Sequence, residues 1–136
     1  MLLAGLSLSG CGGASGPVGW QRSVAGSWVS SAHPGERVSV SQMPFQGAPS
    51  DLATHILESV VLAPGGGKVS GTHALAECPG AAGEMDFVTN RPPGKIVVFF
   101  SIRNTTAYEI RWSGSASDAL PPEVLQYAQR RLCRVL

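Results

Sequence analysis

Lysine is nearly missing from this chain. Lys68 and Lys95 are the only two among 136 residues, and the other basic residues are all arginines. Charge of either sign is scarce, at 14% charged residues and a formal net charge of +1. That excludes the basic footprint of a nucleic-acid-binding surface. A hydrophobic fraction of 43% excludes the composition of a disordered chain. There is no HExxH and no CxxC, so the local zinc motifs are absent, and no GxSxG, so a nucleophile elbow is absent too. No apolar run approaches the ~20 residues a membrane-spanning helix needs. No internal repeat appears. What is plentiful is glycine (17) and proline (10), which predicts many turns and short elements. The length suits one domain with a real core.

Cysteine is sparse as well, with Cys11, Cys78 and Cys133, an odd number for an exported chain. The stretch Leu8-Ser9-Gly10-Cys11, after a short apolar run, resembles the bacterial lipobox, in which the cysteine is lipidated and becomes the mature N-terminus. By that resemblance residues 1–10 are a signal peptide, its start cut short because no Lys or Arg precedes the apolar run. Residues 11–19 are then the lipidated Cys11 and a flexible tether, "GGASGP", and 20–136 a single α/β domain. The membrane is the first partner this implies, through a lipid (palmitate) anchor at the cell membrane or outer membrane of a bacterium. One cysteine pair is left over.

Along the domain, Val24–Ser30 predicts a first strand and "HPGE" (His33–Glu36) a turn. Arg37–Met43 alternates and predicts a half-buried strand, paired with the first as a hairpin. "APSDLATHILESVVLAPGGGK" predicts a helix capped by Ser50 or Asp51, with an apolar stripe recurring every four residues, stopped by Pro64 and Gly65–Gly67. Lys68–Leu75 and Glu84–Thr89 are shorter strands. Lys95–Arg103 is apolar on both faces and belongs mid-sheet; "TTAYEIRW" predicts its hairpin partner. "LPPEVLQYAQRRLCRVL" predicts a closing helix with a stripe of Val124, Leu125, Ala128 and Leu132. The expected order is ββαββββα, an α+β fold with an antiparallel sheet flanked by helices.

A lipobox, a tryptophan hairpin at "GSWVSSAHPGERVSV", a mid-chain helix, "ECPGAAG" and a closing helix ending "RRLC" together resemble small bacterial lipoproteins of the PsbP-like (LpqN-type) α/β/α sandwich class. The resemblance runs over roughly residues 27–133. It implies that fold, a disulfide between Cys78 and Cys133, and binding or accessory work in the cell envelope rather than catalysis.

Individual candidates for chemistry are few. His33, His55 and His73 are scattered, so the expectation is no metal and no cofactor. His55 falls on the polar helix face and His33 in an exposed turn. Ser113 and Ser115 have no histidine linked to them in sequence, and "APGGGKVSG" lacks the first glycine and the Ser/Thr of a phosphate loop. Trp28, Trp112 and Tyr108 read as core, whereas Trp20, just after the tether, either docks on the domain or touches lipid. A ligand site is expected between the sheet and the second helix. Ala128 thins the apolar stripe there, and Tyr127 beside it supplies a polar contact. The expected function is non-catalytic binding of a hydrophobic or lipid-like ligand or a partner protein. The alternatives are a small secreted hydrolase and a purely structural envelope component.

Overall fold

The computed structural model describes residues 16–75, 78 and 82–133. The expected signal peptide (1–10), Cys11 and the first part of the expected tether lie outside the described residues. Strands β1 (Gln21–Arg22), β2 (Trp28–Val29) and β3 (Arg37–Pro44) come first, then helix α1 (Pro49–Val61). Strands β4 (Gly67–Ala74), β5 (Ala82–Asn90), β6 (Pro93–Arg103) and β7 (Thr106–Ser115) follow, and helix α2 (Pro122–Leu132) closes the chain. The seven strands form one antiparallel sheet in the order β1-β2-β3-β7-β6-β5-β4, open at both ends.

This corrects the α+β sandwich expected from sequence. The order is βββαββββα, and the molecule is mostly sheet. A helix of 13 residues is about 20 Å long and 10 Å wide. Seven strands spaced about 4.8 Å apart make a surface close to 29 Å across. Neither short helix is a layer at that scale. Each covers part of one face.

The core is therefore split by the sheet. On one face α1 lays Leu52, Ile56 and Val60 against Met85, Phe87, Val98 and Phe100. On the other, α2 lays Val124, Tyr127, Ala128 and Leu132 against Val38, Val97, Phe99, Ile110 and Trp112. The alternation of Val97 and Phe99 against Val98 and Phe100 along β6 is what lets one strand serve both faces.

Local signals explain the element ends. Asp51, not Ser50, serves the start of α1: its Oδ2 accepts a bond from the Ala48 backbone N at 2.8 Å. Gly65 and Gly66, at φ of 94° and 70°, turn the chain after the helix, as glycine allows. The expected first strand is shorter than its apolar residues suggest. Val24 is fully exposed in the turn between β1 and β2, and β3 pairs with β2 only at Trp28–Val38. The main partner of β3 is β7, in register from Arg37–Ser113 to Pro44–Thr106. Cys78, in the loop after β4, is disulfide-bonded to Cys133 at the end of α2, with a Cα–Cα distance of 4.4 Å. Among the described residues no helix is long and apolar enough to cross a membrane.

Candidate functional site

Three polar assemblies stand out, all on the α2 side of the sheet. The first is a chain of rings and carboxylates. Buried Glu36, at the end of the "HPGE" turn, accepts a bond from the Trp112 indole N–H at 2.8 Å. His33 Nδ1 lies 3.6 Å from the other Glu36 oxygen, and its Nε2 lies 3.0 Å from Glu123 Oε2 in the first turn of α2. Trp20 donates its indole N–H to the same Glu123 oxygen at 3.1 Å and stacks on the His33 ring at 5.8 Å. The Trp20 bond is the chief reason the Glu123 carboxyl titrates below the usual range. His33 is thus a partnered clasp rather than a solvated turn residue, and Trp20 docks on the domain, 6% exposed.

The second is a cavity of about 320 Å³ bounded by the β1–β2 hairpin, β3 and α2. Arg22, Trp28, Gln42, Tyr127 and Arg131 line it, and none of the described residues lining it is acidic. The Arg22 guanidinium stands over the Trp28 ring, 5.5 Å from its centroid. Burial pushes the Tyr127 hydroxyl above its ordinary pKa, against the opposing pull of Arg131, Arg22 and Arg130. Gly16 packs so closely on the Trp28 indole that a side chain there would collide with the ring. A larger cavity, about 360 Å³, lies near the end of α1 and includes Arg111. That guanidinium is already committed to Glu109 at 3.4 Å and to Ser59 at 3.3 Å.

The third is a cluster at the sheet edge. His73 of β4 lies directly opposite Glu84 of β5, and Asp86, two residues on, shares the Glu84 face. Their ligand atoms all lie within 4.8 Å of one another, with His73 Nε2 3.1 Å from Asp86 Oδ2. Burial and the neighbouring Asp86 raise the Glu84 carboxyl to about 7.

The sequence candidates are distributed as follows. Tyr127 lines the second cavity, whereas Ala128 is fully buried in the core on the α2 side. His55 lies on the exposed face of α1, its ring 6.5 Å from that of Phe45. The Ser115 hydroxyl lies 3.2 Å from that of Ser117. Sequence reasoning missed Glu84 and Asp86 as companions of His73, although their i, i+2 spacing on a strand already put both carboxylates on one face. Compared with known proteins, the chain matches no family model and no curated protein.

Proposed function

We propose that the chain is a non-catalytic, membrane-anchored cell-envelope lipoprotein that binds an anionic, lipid-like molecule in the Arg22–Trp28–Arg131 cavity. The observation that carries this reading is the convergence of Arg22 and Arg131 on one recess whose described lining residues include no carboxylate. Guanidinium is the side chain best suited to planar, bidentate grip on phosphate or carboxylate oxygens. The cavity is mostly polar, so it suits a headgroup better than an acyl chain. Its position supports the anchored reading as well. Four residues separate Cys11 from Gly16, which lies against Trp28 at the cavity wall, so the five Cα-to-Cα steps reach at most about 18 Å. A lipid on Cys11 would hold the recess close to the bilayer surface.

The test separates the anchor from the pocket. Palmitate labelling in a bacterium, with a basic segment placed before Met1, is expected to mark the wild type and not Cys11→Ala; label retained by the variant refutes the anchor. For the pocket, unlipidated Cys11→Ser protein is mixed with phosphatidylcholine vesicles, with and without phosphatidylglycerol. Binding is expected only to the anionic vesicles. It should weaken as salt shortens the Debye length from about 10 Å at 0.1 M to 3 Å at 1 M. It should disappear in a folded Arg22→Ala/Arg131→Ala variant. Equal binding to neutral vesicles, or an unaffected double variant, rejects the pocket.

A further inference from the structure

We infer that His73, Glu84 and Asp86 form a binding site for a divalent transition-metal cation of the zinc class. The site is independent of the arginine-lined cavity. It is built by register alone: antiparallel pairing sets His73 opposite Glu84, and Asp86 follows on the same face. One imidazole and two carboxylates are the donor set of many three-ligand zinc and manganese sites, with further positions left to water. Calcium is a poorer fit, since it seeks six to eight oxygens.

The spacing is close to what coordination requires. Ligand atoms bound to one tetrahedral ion at about 2.1 Å are about 3.4 Å apart. His73 Nε2 and Asp86 Oδ2 are already separated by 3.1 Å, and the Glu84 carboxylate lies within 4.8 Å of both.

Two further observations fit a cation at this centre. Asp86 Oδ1 is buried and, with Glu84 ionised, accepts no hydrogen bond among the described residues, an arrangement that costs free energy unless something positive meets the oxygen. Directly opposite Asp86 stands Gly71, at the point where the β4–β5 register shifts. A Cβ there would lie 3.2 Å from His73 Nε2 and 3.4 Å from Asp86 Oδ2, inside the space an ion and its waters need. The absence of a side chain at position 71 keeps the cradle open.

Beside the cluster is a cavity of about 310 Å³ that includes Glu84, Asp86, Lys95 and Trp112 in its walls. The Lys95 ammonium is engaged by the Asp118 carbonyl oxygen, to which it donates at 2.7 Å. The cavity therefore has room for the waters that complete the coordination sphere.

The test uses the full chain without a histidine tag, stripped with chelator and titrated with Zn²⁺ and separately with Ca²⁺ by calorimetry. One equivalent of Zn²⁺ is expected to bind, more tightly than Ca²⁺. His73→Ala removes a half-exposed side chain, so the fold should persist. That variant and Asp86→Asn should each weaken Zn²⁺ binding by about tenfold or more. His33→Ala should leave it unchanged. Co²⁺ substitution supplies a second readout, a visible absorption band present in the wild type and lost in His73→Ala. Tighter binding of Ca²⁺ overturns the assignment of metal class. No stoichiometric binding of Zn²⁺, or equal binding by wild type and His73→Ala, overturns the site itself.

Discussion

Glu123 Oε2 is shared by two ring nitrogens, those of Trp20 and His33, and this single oxygen joins the N-terminal segment to α2. Its carboxyl titrates below the ordinary range because the ionised form accepts the Trp20 bond. The sign follows by linkage. As pH falls, the unfolded chain takes up this proton first, so the stabilisation is present above about pH 4.3 and is lost as pH drops through the native value. Wild-type stability should therefore decline more steeply below that pH than the stability of Glu123→Gln. Urea melts followed by tryptophan fluorescence at a series of acid pH values provide the comparison. Parallel pH profiles would show that the carboxylate contributes nothing. The "HPGE" turn was readable from the positions of proline and glycine, but its clasp was not. Nothing in local sequence announces a bond between residues 33 and 123.

At the scale of elements, the connection from α1 to β4 is tightly constrained. Gly65 has φ of 94°, and a Cβ there would run into the carbonyl oxygen of Arg91. Gly65→Ala is expected to destabilise the domain by about 1–3 kcal/mol, from a disfavoured backbone conformation plus the clash. A urea midpoint unchanged from wild type would exclude that account. Both helices and the long strands were legible because their periodicities are long enough to show. Leu52, Ile56 and Val60 recur every four residues, and β6 alternates two apolar sets. β1 and β2 hold two residues each, too few to carry any period. The pairing of β3 with β7 was hidden for a different reason. It joins segments more than 60 positions apart, and alternation states only that a strand has a buried face, not which strand lies beside it. The metal cluster was missed on the same ground, since it exists only through the β4–β5 register.

For the whole molecule, the bond between Cys78 and Cys133 ties the loop after β4 to the end of the last helix across 55 positions of sequence. The chain-entropy relation assigns such a closure about 4 kcal/mol. Cys78→Ser/Cys133→Ser should lose stability of that order in urea, and the unreduced, unlipidated wild type should expose one reactive thiol, Cys11. Three reactive thiols would disprove the pairing. The open sheet has a second consequence at this scale. Its two margins are unequal: β1 offers two residues of backbone, whereas β4 offers eight, paired on their inner side only. Among the described residues, an extended segment that joins this protein by continuing the sheet has its longest berth alongside β4, and a shorter one along β3 beyond its single pairing with β2. The register shift at Gly71 interrupts the β4 berth midway, and Lys68 and His73 crowd it with polar side chains. The molecule therefore carries its own guard against indiscriminate chain-to-chain stacking, placed on the longest open margin of the described sheet.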